Sequence, residues 1–279
     1  MTILVFGASS QIGRFLLPAL CARGEPVVAL SRRPRAARAG LDWAVGSLPA
    51  AVPSVRDVSA AISCGPLPPF AAWLARTELP LAPRVVATSS MSAESKRASA
   101  VPAERAIAQQ LRDGEAALAA ACTQRGCAWT VLRPTLVYGA GLDRSLTPIA
   151  RRAQRTRVFP LPAGRGLRQP VHAADIAQAV LAALDTPASA GRVLPLGGGE
   201  RLSAAEMFAR VRRSLPAATL PLPLPAWLLR GARRALPRLA GPLARLDTDL
   251  VADNAELVRL LGVTPRPFRP DADCWRARE

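Results

Sequence analysis

Short apolar runs alternate with longer amphipathic stretches along the first half of the chain. The runs predict strands at Ile3–Phe6, Val27–Leu30, Trp43–Val45, Val58–Ser63, Arg84–Thr88 and Trp129–Leu132. Apolar positions at helical spacing predict a helix over residues 11–23 and a long helix over residues 103–125. Strands that alternate with helices in this way are typical of βαβ units built around a parallel sheet.

The pattern is looser in the second half of the chain. It predicts helices over residues 143–155, 174–184 and 249–261 and a strand at Arg192–Leu196. Ser203-Ala204-Ala205-Glu206 is a capping box, which predicts a helix from there to about residue 215. Residues 220–246 are interrupted by proline and rich in arginine.

The composition limits the chemistry that the chain can support. Among 37 basic residues only Lys96 is a lysine, and the 279 residues contain one tyrosine, Tyr138, and one histidine, His172. Five cysteines without a C-x-x-C pair and a single histidine argue against a metal site. These features indicate reduced thiols and a cytoplasmic protein, and the first residues resemble a strand more than a signal peptide.

The net charge of +17 is consistent with an anionic partner or with a GC-rich coding sequence. Aromatic residues make up 4% of the chain and no nucleic-acid motif is present, so we do not expect nucleic-acid binding. The run Trp227-Leu228-Leu229-Arg230 and the arginines after it could contact an anionic membrane. Because Gly231 and Pro237 interrupt this run, we favour a substrate-covering segment with solvated arginines. The sequence leaves the oligomeric state open.

A glycine-containing turn joins the first predicted strand to the first predicted helix. It reads Gly7-Ala8-Ser9-Ser10-Gln11-Ile12-Gly13, with Ser10 at the central position where the dinucleotide fingerprint has a glycine. Such a turn lets backbone N–H groups and a helix N-terminus meet a pyrophosphate. We therefore expect an α/β fold with a Rossmann-type, doubly wound parallel sheet. Residues 1–140 would form the dinucleotide-binding core, and residues 141–279 its returning elements and a small C-terminal substrate-covering annex.

The second predicted strand is followed by Ser31-Arg32-Arg33. NAD sites usually place an acid there for the ribose hydroxyl, whereas arginine suits the 2′-phosphate of NADP. Arg32 and Arg33 therefore favour NADP(H), although NAD(H) stays possible. A solvated loop in an arginine-rich protein is the alternative interpretation.

Taken together, several segments resemble the extended short-chain dehydrogenase/reductase superfamily, in its NAD-dependent epimerase/dehydratase branch. They are residues 7–13, Val86-Ala87-Thr88-Ser89-Ser90, Leu132-Arg133-Pro134-Thr135-Leu136-Val137-Tyr138-Gly139, residues 168–177 and the tail at residues 261–268. Each segment is weakly specific alone, but their order along the chain matches the family.

The resemblance implies roles for individual residues. Those around the pyrophosphate would be Gly7, Ser9, Ser10, Gln11, Ile12 and Gly13. Ser63, Cys64 and Gly65 would line the ribose and adenine, and Pro134 and Val137 would back the nicotinamide. The candidate catalytic residues are Ser89 and Ser90, and the candidate substrate-binding residues are Ser92 and Arg168. Arg168 would contact the phosphates of a nucleotide-linked or phosphorylated sugar.

One departure from the family concerns the proton donor. The superfamily uses Tyr-x-x-x-Lys on the helix after the fifth strand, and this chain has Ile107 and Leu111 at those positions. Lys96, seven residues after Ser89, is the candidate replacement, since burial near a nicotinamide would favour its neutral form. A solvated lysine is the alternative. His172 is interpreted as a scaffold residue.

Two functions follow from this departure. The first is an NAD(P)-dependent oxidoreductase or epimerase with a rearranged proton donor, acting on a nucleotide-linked or phosphorylated sugar. The second is a catalytically inactive NADP(H)-binding sensor or assembly protein, docking at a membrane surface through its basic segment.

Overall fold

The computed structural model describes residues 2–77, 84–235, 241, 243 and 245–276, with the side chains of residues 233 and 234 left out. The chain divides into two compact units. The first consists of Met1–Pro134, Ala174–Leu196 and Asp253–Thr264, and the second of Thr135–Ala173, Gly197–Ala252 and Pro265–Glu279. The chain thus leaves the first unit after Pro134 and returns to it twice.

A parallel sheet forms the centre of the first unit. Its strands are β1 (Thr2–Phe6), β2 (Val27–Ser31), β3 (Leu41–Val45), β4 (Val58–Ser63), β5 (Arg84–Thr88), β6 (Ala128–Pro134) and β11 (Arg192–Leu196). The order across the described sheet is β11-β6-β5-β4-β1-β2-β3, and its neighbouring strands run parallel. Since the chain moves outward in one direction from β1 and then in the other from β4, the sheet is doubly wound, as predicted.

Helices accompany these strands in the first unit. They are α1 (Gly13–Ala22), α2 (Leu67–Arg76), α3 (Ser92–Ser95), α4 (Pro102–Gln124), α6 (Ala173–Asp185) and α9 (Ala255–Leu261). The sequence analysis did not predict α2, because Pro68 and Pro69 look like helix breakers. Both lie in the first turn of α2, where backbone N–H groups have no partner within the helix, so a proline there costs no hydrogen bond.

The core of the first unit is apolar on both faces of β1. Phe6 lies 4.6 Å from Trp73 and 5.1 Å from Phe70, measured between ring centroids. All three side chains are buried. Central parallel strands are expected to be apolar throughout, because helices cover both of their faces.

The second unit is built from short elements. They are β7 (Val137–Tyr138), α5 (Thr147–Thr156), β8 (Val158–Pro162), β9 (Leu167–Arg168), β10 (Val171–His172), β12 (Leu202–Ser203), α7 (Ala204–Arg213), β13 (Leu220–Leu224) and α8 (Ala226–Ala235). The strands pair as β7 with β10, β9 with β12 and β8 with β13. Within the described residues of either unit, no helix is long and apolar enough to cross a membrane.

The only tyrosine of the chain lies in the core of the second unit. Tyr138 is 1% exposed, and its ring meets the edges of His172 and Phe268 at centroid distances of 5.0 and 4.8 Å. Edge-to-face contacts of this kind stabilise aromatic clusters. His172 thus packs against the aromatic core, and the scaffold role predicted for it stays a prediction.

Several predicted boundaries in the second half of the chain are wrong. The helix expected from residue 143 begins at Thr147, because the Asp143 carboxylate accepts the backbone N–H groups of residues 145–147 ahead of it. The last helix begins at Ala255 instead of residue 249. The proline-rich stretch from residue 220 contains β13 and α8, and α8 continues through Gly231.

The helix predicted from the capping box is confirmed, and it is capped by one of the two hydrogen bonds of such a box. The Ser203 hydroxyl accepts the Glu206 N–H over 3.1 Å at the start of α7. The Glu206 carboxylate accepts hydrogen bonds from Arg210 and Arg213, and the pKa of Glu206 is lowered, chiefly by Arg210.

Candidate functional site

The turn after β1 and the turn after β4 touch through their backbones. Gly7 has a φ of +67°, and a Cβ on it would lie 2.5 Å from the Gly65 nitrogen and 2.6 Å from the Cys64 carbonyl carbon. Gly13 packs against its own loop, since a Cβ there would lie 2.0 Å from the Ala8 oxygen. Close packing therefore requires a glycine at both positions, and the positive φ is a second requirement at Gly7.

Ser10 occupies the central position of the turn and stabilises it. Its N–H donates to the Gly7 oxygen over 2.9 Å, and its hydroxyl accepts the Gly13 N–H over 3.3 Å. A serine thus supplies a hydrogen bond where the fingerprint has a glycine. The first turn of α1 carries no acidic residue, which leaves the positive end of the helix dipole available to an anion.

Three buried polar atoms at this edge of the sheet have no hydrogen-bond partner among the described residues. They are Gln11 Oε1 after β1, Ser63 Oγ at the end of β4 and Ser89 Oγ directly after β5. β1, β4 and β5 are neighbours in the sheet, so the three atoms lie at the carboxyl edge where its strand order reverses. Buried polar atoms are normally paired, and this location is where open α/β sheets bind ligands.

Cys64, which was predicted to line the same site, is buried. Burial raises the pKa of its thiol to about 12. The thiol is therefore protonated at neutral pH and presents a small, weakly polar surface instead of a nucleophile.

Arg32 and Arg33 lie in the exposed segment that follows β2, the strand next to β1. The Arg33 N–H donates to the Ser31 hydroxyl over 3.3 Å. Among the described residues no carboxylate lies within 4.0 Å of either guanidinium. Both cations are thus available to an anionic ligand. Arg35, a few residues further on, stacks over the Trp43 ring at 5.0 Å.

The serine-rich segment after β5 is held to β6 by the backbone. Ser89 N–H donates to the Leu132 oxygen over 2.8 Å, and Met91 N–H donates to the Pro134 oxygen over 2.9 Å. The Ser90 hydroxyl accepts the Ser92 N–H over 3.1 Å, next to the first residue of α3. Ser89, Ser90 and Ser92 are thus brought together, beside Pro134.

A guanidinium on β6 connects this segment to α4. Arg133 Nε donates to Glu115 Oε1 over 2.8 Å, and its Nη1 donates to Glu94 Oε1 of α3 over 2.8 Å. Glu115 is buried, and its hydrogen bond is the main reason that the pKa of Arg133 is raised. Sequence reasoning did not identify this bridge. The signal in the sequence was a glutamate at a core position of α4, because a buried carboxylate needs a cationic partner.

Lys96 also contacts α4. Its Nζ lies 3.8 Å from Glu104 Oε1, and both side chains are less than one-fifth exposed. The second oxygen of the same carboxylate accepts the Ser99 hydroxyl over 2.8 Å. This pairing shows that Lys96 is held at the start of α4, and its predicted role as proton donor stays a prediction.

The two positions at which the resemblance predicts the dyad lie on α4. Ile107 is 42% exposed and Leu111 is half-buried one turn further along the helix. An isoleucine that is nearly half exposed occupies a position where packing does not require an apolar side chain.

Two predicted site residues lie in the second unit. Val137 is in β7, where it pairs with Val171 of β10. Arg168 is buried and donates to the backbone oxygens of Leu167 (2.8 Å), Thr248 (2.6 Å) and Arg245. Burial lowers the pKa of the Arg168 guanidinium. Three of its donors are therefore engaged by the chain itself, and its contact with substrate phosphates stays a prediction.

Comparison with known proteins supports this description. A sequence model of the NAD dependent epimerase/dehydratase family matches residues 93–197. A UDP-glucose 4-epimerase of Vibrio cholerae is 28% identical over 122 residues, which are 40% of this chain and 37% of that protein. The matched part thus spans little more than a third of the curated relative.

Solved structures share the fold over nearly the whole chain. MoeE5, determined in complex with UDP-glucuronic acid and NAD, has a TM-score of 0.73 at 19% identity and covers 95% of this chain and 94% of its own. UDP-glucuronic acid 4-epimerase from Bacillus cereus, in complex with NAD, has a TM-score of 0.72 at 15% identity, with coverages of 100% and 97%. The protein therefore shares the Rossmann-type fold of these two structures. The predicted resemblance to the NAD-dependent epimerase/dehydratase family is confirmed over residues 93–197.

The Arg133 bridge leads to a stability prediction. Replacing Glu115 with alanine leaves the guanidinium without its buried partner, and we expect the free energy of unfolding to fall by about 3 kcal/mol. Replacing Glu94 with alanine removes a partner whose side chain is 43% exposed, so we expect a loss below about 1 kcal/mol. Urea unfolding measures both losses, and equal losses would contradict the assignment of Glu115 as the buried partner.

Proposed function

We propose that the protein binds a nicotinamide dinucleotide at the carboxyl edge of β1, β4 and β5 and acts on a nucleotide-linked sugar. The observation that carries this proposal is the set of three buried polar atoms without partners, on Gln11, Ser63 and Ser89. A bound dinucleotide presents hydroxyl, phosphate and amide groups that would supply the missing hydrogen bonds.

The residues at this edge fit such a cofactor. The turn Gly7–Gly13 and the N-terminus of α1 would hold the pyrophosphate, with no acid in the first turn to oppose it. Ser63 would face the ribose on the adenine side, with Cys64 and Gly65 beside it. Ser89 and Ser90 would lie at the nicotinamide, backed by Pro134. When bound, the nicotinamide supplies a hydride acceptor or donor.

NADP(H) is the favoured form of the cofactor. Arg32 and Arg33 are exposed after β2 and have no carboxylate nearby among the described residues. Two guanidiniums at this place suit a 2′-phosphate, whereas the structures of MoeE5 and the Bacillus cereus epimerase named above contain NAD. The preference is thus a property that this chain would not share with those proteins.

The proposed reaction is oxidoreduction or epimerisation at a sugar carbon. Ser89 or Ser90 would donate a hydrogen bond to the reacting oxygen, and Lys96 would hold the proton that the family's tyrosine otherwise exchanges. Glu104 keeps Lys96 in place at the start of α4. Arg168 would contribute to the recognition of the substrate phosphates.

A second function is favoured by one observation. Neither Ile107 nor Leu111 can donate a proton, so the dyad positions of α4 are inert. A protein that binds NADP(H) without turnover, as a sensor or assembly subunit, would keep the cofactor edge and lose the dyad in this way. Turnover with nucleotide-sugars separates the two functions.

Replacing Ser63 with alanine tests the cofactor edge. The variant removes a buried hydroxyl without a partner, so we expect the unliganded protein to be no less stable than the wild type. Cofactor affinity should fall about five-fold, corresponding to one lost hydrogen bond of about 1 kcal/mol. Thermal unfolding and calorimetric titration with NADPH measure the two effects.

Ser59→Ala is the matched control on the same strand. Ser59 lies at the opposite end of β4, where its hydroxyl donates to the Thr2 oxygen over 3.3 Å. This variant should leave the affinity for NADPH unchanged. Unaltered affinity in Ser63→Ala would argue against the proposed cofactor contact.

The double variant Arg32→Ala/Arg33→Ala tests the choice of cofactor. Loss of charge-assisted hydrogen bonds to the 2′-phosphate should weaken NADPH at least ten-fold and change NADH by less than two-fold, on the scale of about 1.5–3 kcal/mol per bond. Calorimetry with both cofactors measures the difference. Arg35→Ala, in the same segment but stacked on Trp43, should change neither affinity. Equal losses for NADPH and NADH in the double variant would refute the assignment.

Lys96→Ala tests the proton donor. We expect it to abolish turnover and leave cofactor affinity within about three-fold, because the side chain would act on the substrate oxygen. Turnover is measured by chromatography of products from a panel of UDP-hexoses and UDP-hexuronic acids.

Lys96→Arg distinguishes proton transfer from bracing. Arginine keeps a cation beside Glu104 but does not release a proton at neutral pH. If Lys96 transfers the proton, Lys96→Arg is inactive as well. Activity in Lys96→Arg would show that Lys96 is a positioning residue. If the wild type binds the cofactor but converts no member of the panel, the inactive sensor is favoured.

A further inference from the structure

We propose that the second unit carries a docking surface for an anionic phospholipid bilayer. The surface, named the Trp227 surface below, consists of Leu220 and Leu222 of β13 and Trp227, Leu228 and Arg230 of α8. It does not depend on the proposed function, since none of its residues is assigned there to cofactor or substrate.

The Trp227 surface is unusually apolar for exposed side chains. Leu220 and Trp227 are each 68% exposed, Leu222 is 49% exposed and Leu228 is 41% exposed. Four large apolar side chains within nine residues differ from the singly scattered apolar residues of an ordinary surface. Tryptophan is also the side chain that is enriched where a protein meets the headgroup region of a bilayer.

The local structure groups these side chains. Only Pro225 separates β13 from α8, and its oxygen accepts the Leu229 N–H over 3.2 Å at the start of the helix. Leu229 lines a small cavity together with Ala163 and Leu243, and Arg230 and Asp247 also line this cavity. Trp227 and Leu228 do not line it. The helix therefore has an inner side at Leu229 and an outer side at Trp227 and Leu228.

The charge around the surface matches anionic lipid. From residue 207 to residue 246 the sequence has eight arginines and no acidic residue. Two of these arginines, Arg210 and Arg213 of α7, are paired with Glu206, so the described cation of the surface is Arg230. Arg230 is exposed on α8 itself, next to the apolar side chains. A peripheral membrane helix has two features. Its apolar side chains enter the bilayer interface, and its basic side chains contact the lipid phosphates.

The same features disfavour a second copy of the chain as the occupant. Two such surfaces would bring the exposed Arg230 side chains of both copies to one interface. Strand pairing between two copies through β13 is also unfavourable. The Leu220 N–H donates to the Arg157 oxygen on the β8 side of the strand. The alternate positions, whose N–H groups would face the outer side, are Pro221 and Pro223. The outer edge of β13 therefore has no N–H donor at those two residues.

The structure changes what the sequence suggested about this region. Gly231 was expected to interrupt a membrane-binding helix, but α8 continues through it to Ala235. Pro237, the second expected interruption, lies outside the described residues. The surface proposed here uses residues 220–230 alone.

Flotation with lipid vesicles tests the proposal. We expect the full-length protein to float with vesicles of phosphatidylcholine and phosphatidylglycerol (3:1) at low salt and to stay behind with pure phosphatidylcholine. Trp227→Ala/Leu228→Ala should reduce the bound fraction at least ten-fold. Val45→Ala and Val258→Ala remove side chains that are 56% and 38% exposed in the first unit, and they should float as the wild type does.

Quenching by brominated lipid gives a second measurement. The emission of the wild type should be quenched on binding, and Trp227→Phe should still float while losing most of the quenching. Absence of flotation, equal binding to pure phosphatidylcholine, or wild-type flotation of the double variant would each overturn the proposal. Sedimentation without lipid completes the test. A dimer that dissociates in Trp227→Ala/Leu228→Ala would identify a second copy as the occupant and overturn it as well.

Discussion

The contact between two backbone turns at the carboxyl edge of the sheet is the constraint on which the candidate site depends. Gly7 approaches Cys64 and Gly65 so closely that a single methyl group on Gly7 would overlap their backbone atoms. This contact exists because β1 and β4 are neighbours, which follows from the reversal of strand order between them. It brings the α1 N-terminus and the end of β4 to one edge without side chains in between. A flat ligand with phosphates needs this combination of open backbone and aligned N–H groups.

Five buried side-chain atoms among the described residues have no hydrogen-bond partner, and three of the five lie at one sheet edge. The other two, Arg125 Nε and Thr219 Oγ1, lie outside the predicted site. Several buried or half-buried guanidiniums do have partners, as with Arg133 on Glu115, Arg168 on backbone oxygens and Arg210 on Glu200. Against that background, unpaired oxygens on Gln11, Ser63 and Ser89 are local to one sheet edge. Leaving buried polar groups without partners costs stability. A binding site that is formed before its ligand arrives would show this pattern, because the ligand supplies the missing partners.

The serine-rich segment after β5 is held by backbone and side-chain contacts. Backbone bonds from Ser89 and Met91 to β6, together with the link from Glu94 to Arg133, hold the serine-rich segment in place. The ring of the single tyrosine packs in the aromatic core of the second unit. It is therefore not proposed as a substitute for the tyrosine of the dyad. Lys96 beside Glu104 is the titratable group that the segment after Ser89 adds. The proposed proton transfer therefore relies on one ammonium, held by one carboxylate.

Local pattern was sufficient for much of this protein. Periodicity and glycine position predicted β1, the turn, α1 and the parallel sheet, because buried strands and tight turns leave signals within a few residues. Prolines led the prediction to miss α2 and β13. In α2 they lie in the first helical turn, and in β13 they lie at positions that do not donate to β8. The sequence by itself determined that no Tyr-x-x-x-Lys pair exists and that basic residues far outnumber acidic ones. Only the tertiary structure decided which arginines are bonded within the protein. Arg133, Arg168 and Arg32 have the same side chain, and they differ in the segments, distant in sequence, that surround them.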